Sequence, residues 1–263
     1  MTSQVAASKA SGPLAGRGVL VTRPARQAGA FAQKLAALGA DPIVYPAIVI
    51  LPPDDFAALE AIHARIAEFD VAVFVSANAV EYGAPDAARW PDRLVAIAPG
   101  PGTAEALAAV GIAHVKCPTA TYDSEAMLAL PELEEVRGRN VIVFRGEGGR
   151  ELLSSALRQR GAHVDTVACY RRAAPSTGAA GLVEALSEDR VHALTFTSSE
   201  GVDNLCNVVG EAGRRLLTQL PAFAPHARIA RRAQERGMKA TLTAGGDTGL
   251  IAGLLRWADE NPL

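Results

Sequence analysis

A nine-residue phrase occurs twice in this chain. Val73-Phe74-Val75-Ser76-Ala77-Asn78-Ala79-Val80-Glu81 returns as Thr195-Phe196-Thr197-Ser198-Ser199-Glu200-Gly201-Val202-Asp203, with Phe, Ser and Val in the same places. Each copy reads as a buried strand ending in a hydroxyl residue that can cap the helix behind it. Such an end leaves free backbone N–H groups and a positive dipole end beside the cap, which suits an anion. Two related halves follow from the repeat. The ligand class it suggests carries several carboxylates and lies between them.

Around the two copies, short β-rich runs alternate with Ala/Leu-rich amphipathic stretches, the pattern of parallel α/β architecture. Strands are expected at Val19–Thr22, Val71–Val75, Leu94–Ala98, Val141–Arg145 and Ala193–Thr197. Four further phrases, closing on Gly39, Gly111, Gly161 and Gly237, read as helix ends with a left-handed glycine and a short strand behind each. Their unequal spacing excludes a solenoid. The fold class is therefore α/β, with two similar doubly wound parallel-sheet domains.

Turn-rich stretches at Pro46–Asp55, holding Pro52-Pro53, and at Arg171–Thr177, holding Pro175, read as extended hinges. Only one strand–helix–strand unit precedes the first hinge, so it needs the segment after the second hinge to complete it. Domain one is then discontinuous, 17–48 with 174–263, and domain two, 53–170, is inserted in it. Residues 49–52 and 171–173 are the hinge segments, and 1–16 a disordered leader. Two such crossings allow opening and closing over a cleft.

Composition narrows the function. Of 263 residues, 49% are hydrophobic and 21% charged, ample for packed cores. A formal net charge of −2 supplies no overall field to attract nucleic acid, so local groups must hold any anionic ligand. The three cysteines, Cys117, Cys169 and Cys206, fit neither a disulfide framework nor metal spacing, and a reducing cytoplasm is the expected location. The leader lacks the apolar core of a signal peptide. The longest apolar run, Ile43–Leu51, is broken by Tyr45 and Pro46 and falls far short of the roughly 20 residues of a membrane span.

Several motifs have two readings each. Gly100-Pro101-Gly102-Thr103-Ala104 is either a tight turn with a capping Thr103 or a place where backbone and hydroxyl meet an anion. It matches neither a dinucleotide fingerprint nor a P-loop. Arg145-Gly146-Glu147-Gly148-Gly149-Arg150 sets two guanidinium groups around three glycines at a strand end, either a solvated turn or a carboxylate site. Ser76, Ser198 and Ser199 lie outside any G-x-S-x-G elbow, so they are not read as nucleophiles. The five histidines, His63, His114, His163, His192 and His226, share no i,i+4 spacing, and no metal site is expected. Cys169 reads as a small core residue within the strand Val164–Tyr170. Tyr170 ends that strand just before the second hinge. It is either a packed aromatic or a phenol facing the cleft that gives a proton or hydrogen bond to a leaving oxygen.

Taken in order, Thr22-Arg23-Pro24 with Gln27, Val75 to Val80, Gly100-x-x-Thr103-Ala104, Gly149-Arg150, Val167 to Arg171 and Phe196-Thr197-Ser198-Ser199 resemble the uroporphyrinogen-III synthase family, from about residue 18 to 256. The resemblance implies an interleaved two-domain monomer without cofactor or metal. It implies hydroxymethylbilane, a linear tetrapyrrole with eight carboxylates, as substrate. The implied reaction is that of a cyclising hydro-lyase of porphyrin and heme biosynthesis. Loss of the terminal hydroxyl gives an azafulvene, and closure through a spirocyclic intermediate inverts ring D. Because the bilane also closes unaided to the uninverted isomer, such a protein mainly orients its substrate.

By the same resemblance Tyr170 assists hydroxyl departure, while Thr103, Ser76, Ser198 and neighbouring amides hold acetate and propionate groups. Arg23 and Arg150 are electrostatic helpers, and Thr22, Asn78, Gly100, Arg145, Gly146, Ser199 and Arg228 complete the expected substrate-binding set. One departure stands out: His226-Ala227-Arg228-Ile229-Ala230 puts Ile229 where many members repeat the threonine of Gly-x-x-Thr-Ala. Either Arg228 replaces that donor by charge or the turn is structural. The competing class is a non-catalytic two-domain small-molecule binding module. A secreted binder of that kind would carry an export signal, and a nucleotide-using transferase would carry a phosphate motif.

Overall fold

Central strands buried on both faces build the two sheets. The structure, a computed structural model, describes residues 11–119, 121, 123–149 and 151–262. Among these, the strands are β1 (Gly18–Val21), β2 (Asp41–Val44), β3 (Val49–Leu51), β4 (Val71–Phe74), β5 (Val95–Ile97), β6 (Val115–Lys116), β7 (Asn140–Gly146), β8 (His163–Ala173), β9 (Ala193–Thr195), β10 (Pro221–Ala224) and β11 (Lys239–Leu242). The chain divides into two compact units, Met1–Val49 with Ala173–Leu263, and Ile50–Arg172.

The first unit has a five-stranded sheet in the order β11-β10-β9-β1-β2, and its four strand pairings are all parallel. Leu20, Leu194, Ala222 and Ala224 bury into one helix layer, while Val19, Val21, Ala193 and Phe223 bury into the other. This two-sided burial is why the strands read as unbroken apolar runs. Helix 199–208 and helix 227–235 cover the first face; helix 25–37 and helix 246–260 cover the second.

The second unit has a six-stranded sheet in the order β3-β8-β7-β4-β5-β6, with β4, β5, β6, β7 and β8 parallel. Val71, Val73, Val141 and Val143 face one side, and Ala72, Phe74, Ile142 and Phe144 the other. On that second face Phe74 and Phe144 stack with centroids 4.5 Å apart. All four helix-closing glycines take positive φ, between 86° and 90°, and each precedes a strand: Gly39, Gly111, Gly161 and Gly237.

Two expectations need correction. Residues 1–10 of the leader lie outside the described residues, but Ser11–Gly16 is a packed turn. Leu14 is fully buried and its N–H bonds Leu38 O at 2.9 Å, because Phe31, Leu35 and Leu38 leave an apolar slot for it. The segments read as turn-rich, extended hinges are strands: β3 covers Val49–Leu51 beside β8, and β8 runs on through 171–173. Their backbone groups find partners in the sheet, which the proline-rich flanks hide.

Candidate functional site

In a parallel sheet the loops at the strands' carboxyl ends carry the helix N-termini, and the place where strand order reverses opens a crevice. In the second unit that reversal falls between β4 and β7. Ser76 follows β4 in extended conformation and caps helix 77–83, its Oγ accepting from Ala79 N–H at 3.2 Å. On the next strand, Gly100 occupies the cap position of helix 101–109, with Pro101 in its first turn. Pro99, Gly100, Pro101, Gly102 and Thr103 line an open depression of about 310 Å³ together with Ala77. Two neighbouring helices thus begin at one concavity walled by glycine and proline.

A bulge shapes the other side of the crevice. Arg145 pairs with Ala168, but Gly146 pairs with Tyr170, so Cys169 is the extra residue on β8. The Cys169 thiol donates to Arg145 O at 3.3 Å and Ala79 O at 3.6 Å, and burial pushes it up to about 12. It is a packing group, as its place in the sequence suggested. The bulge lays the Tyr170 ring across Gly146, where an added Cβ would sit 2.6 Å from Cζ. The phenol oxygen lies 3.2 Å from Ser76 Oγ, and the Arg172 guanidinium stands 5.9 Å over the ring. Tyr170 is only 2% exposed, whereas Ser76 is half-buried.

The first unit carries the matching parts. Ser198 caps helix 199–208, accepting from Gly201 N–H at 3.1 Å. His226 occupies the cap position of helix 227–235. At the reversal between β1 and β9, Thr22 Oγ1 donates to Thr195 O at 2.8 Å and Thr195 Oγ1 to Leu20 O at 2.8 Å. Arg23 meets Asp247 at 2.6 Å and lies 4.2 Å over the Phe31 ring. Burial pushes the Asp247 carboxyl up, but hydrogen bonds from Lys34 and Arg23 outweigh it and hold it below the usual 3.8.

The structure therefore sorts the expected residues. It brings Ser76, Gly146 and Tyr170 together, and places Gly100 and Thr103 in the neighbouring depression. Thr103 is not the cap: it sits in the first helical turn, 7% exposed, and Gly100 O accepts its N–H. Thr22 spends its hydroxyl on the sheet. The Arg145 guanidinium is taken up by Glu151, at 2.5 Å, and by Gly149 O, so its charge turns back on its own loop. Arg23 is matched by Asp247, a partner that sequence spacing could not reveal. Asn78 is half-buried in the first turn of helix 77–83, and Ser199 Oγ is buried without a hydrogen-bond partner. Arg228 is exposed beside buried Ile229. Arg150 lies outside the described residues. Among the described residues, no cluster of His, Cys, Asp and Glu is arranged to hold a metal, and no helix is long and apolar enough to cross a membrane.

Comparison with known proteins places this geometry. The family profile described as uroporphyrinogen-III synthase HemD matches residues 29–248. The uroporphyrinogen-III synthase of Synechococcus elongatus is 36% identical over 75% of this chain and 76% of its own length. That of Salmonella typhimurium is 32% identical over 78% and 80%. The solved structure of a mutant uroporphyrinogen III synthase from the extremely thermophilic bacterium Thermus thermophilus shares the fold at a TM-score of 0.59 and 22% identity, covering 93% of this chain and all of that one. Uroporphyrinogen-III synthetase from Helicobacter pylori does so at 0.57 and 13%, covering 92% and 99%.

Proposed function

The chain belongs to the uroporphyrinogen-III synthase family of tetrapyrrole biosynthesis, and on that premise we propose that it is a cyclising lyase acting on hydroxymethylbilane. It removes the terminal hydroxyl as water and closes the macrocycle with ring D inverted, through an azafulvene and a spirocyclic intermediate. The observation that supports this reading best is the grouping of Tyr170, on β8, with Ser76 and Gly146 at the carboxyl ends of β4 and β7. It sets a hydroxyl pair beside free amides of a helix start.

Such a site fits a reaction in which the substrate is reactive already. The Tyr170 phenol assists departure of the hydroxyl. The amides that open helices 77–83 and 101–109, with Gly100 giving close approach, hold substrate carboxylates, and the start of helix 199–208 at Ser198 is suited to a carboxylate in the same way. Arg228 and Arg150 add positive charge for the remaining ones. Holding several carboxylates fixes which carbon of the last ring attacks, and this orientation accounts for most of the selectivity. The chain works in the cytoplasm as a monomer, without metal or organic cofactor.

The test is isomer analysis. Purified protein treated with chelator and supplied with hydroxymethylbilane is expected to give type III porphyrin after oxidation. Type I product alone, or activity that appears only on adding zinc or magnesium, would overturn the reading.

A further inference from the structure

Tyr170 and Ser76 differ in one decisive respect: the phenol is 2% exposed, packed under Gly146, while the serine is half-buried at the rim. The phenol oxygen has Ser76 Oγ, at 3.2 Å, as its one hydrogen-bond partner among the described residues. A serine hydroxyl has one proton and two lone pairs. One lone pair of Ser76 is already engaged by Ala79 N–H, at 3.2 Å. If the second takes the Tyr170 proton, the serine's own proton is left to point away from both, toward the rim.

We propose that Ser76 is the group that meets the substrate's departing hydroxyl, and that Tyr170 is a positioning residue that acts only through it. The inference rests on the reading of the chain as a bilane cyclase. In the step itself, the C–O bond of the terminal hydroxymethyl carbon breaks and its electron pair stays on oxygen. Ser76 Oγ passes its proton to that oxygen, and water leaves. The Tyr170 proton moves to Ser76 Oγ. The pyrrole nitrogen supplies the electron pair that forms the azafulvene double bonds, and its N–H proton returns through Ser76 to the phenolate oxygen. The pair ends as it began, and the substrate has lost one water. Ala79 N–H, held at the start of the helix, stabilises the serine oxygen throughout.

The arrangement explains why a buried tyrosine serves a reaction on an outside ligand, and why the bulge is needed. The bulge keeps Cys169 and Tyr170 on one face; in a regular ladder Tyr170 would lie one step beyond Cys169, on the opposite face with Ala168.

A double-mutant cycle tests the pair on the full chain, reading kcat and KM for formation of type III product. Ser76→Gly removes the hydroxyl at a helix cap where glycine is tolerated. Ser76→Gly and Tyr170→Phe are each expected to lower kcat by up to about 10²-fold, with KM changed far less. The double variant should be no slower than Ser76→Gly alone, and Ser76→Thr should recover most of the lost rate. If Tyr170→Phe costs the same factor in the Ser76→Gly background as in the native one, the phenol acts without the serine and the proposal falls. A second readout needs no turnover: the 13Cζ resonance of Tyr170 in substrate-free protein should move in Ser76→Gly and return in Ser76→Thr. A resonance indifferent to Ser76 overturns the pair. Absence of type III product from the native chain would instead overturn the family-level function, and the resonance would still judge the pair.

Discussion

The two units share a five-strand order in space, to which the second adds β3, and follow different paths through it. Reading β9-β10-β11-β1-β2 against β4-β5-β6-β7-β8 gives one spatial order for both, so the first unit is a circular permutation of the second. Ser198 then stands for Ser76, His226 for Gly100 and Ile229 for Thr103, and the end of β1 for the end of β7. The paired serines do the same local work, each capping a helix through its Oγ. The strand ends beside them do not. In the first unit Thr22 and Arg23 are tied off by Thr195 and Asp247. In the second, Gly146 leaves room for a tyrosine whose hydroxyl reaches the serine. A shared scaffold thus supplies anion-friendly helix starts twice, while the chemistry depends on one glycine and one bulge.

The comparison also bears on the turn at Ile229. Ile229 and Thr103 occupy the same helical position, and both are buried, at 2% and 7% exposure. The position faces the core, so isoleucine fills it as well as threonine does.

The largest expected effect comes from Gly146→Ala. Its Cβ would overlap the Tyr170 ring, which overpacking would shift at a cost of about 1–3 kcal/mol in stability. A displacement on the order of 1 Å at the phenol should lower turnover by about 10²-fold, more than the folding defect explains. Near-native turnover in a folded Gly146→Ala protein would erase the distinction between the units.

A smaller effect, on stability alone, is expected from Asp247→Asn in the first unit. The pair with Arg23 is mostly buried and should be worth about 1 kcal/mol at neutral pH, with turnover close to native. Because the folded carboxyl lies below 3.8, this stabilisation is present above that pH and is lost as pH falls through the folded value. Melting curves of the two proteins should therefore differ at pH 7 and converge in acid. A difference that persists or grows in acid would show that Asp247 stabilises the fold by something other than its charge.

The smallest change is Gly102→Ala. Nothing lies within 4 Å of the added Cβ, and the residue is helical, so folding should become more favourable by about 0.4–1 kcal/mol. Since Gly102 lines the depression, KM should rise a fewfold while kcat holds. Unchanged KM would remove the depression from the binding surface.

Local signals were legible in the sequence and long-range pairings were not. The five strands, the four closing glycines and both serine caps follow from apolar runs, left-handed backbone and hydroxyl capping, all set within a few residues. Tyr170 was legible as a strand phenol, but its strand runs on to Ala173, and the bulge that turns it onto Gly146 depends on the register of β7 against β8. Arg23 and Arg145 looked available because their partners, Asp247 and Glu151, are chosen by the fold, one of them from a helix more than two hundred residues away. The strand Val49–Leu51 and the end of β8 through 171–173 were hidden for the same reason: neighbouring prolines mark turns, and only the sheet shows where the backbone bonds go.

The most direct measurement compares Ser76→Ala with Ser198→Ala. Both remove the same cap, and each should lower stability by about 1 kcal/mol. Turnover to type III product should fall by an order of magnitude or more only in Ser76→Ala, because only that serine partners a tyrosine. Ser198→Ala should keep kcat near native, with at most a fewfold rise in KM. Equal losses of kcat in the two proteins, or a loss confined to Ser198→Ala, would contradict the placing of the chemistry in the second unit.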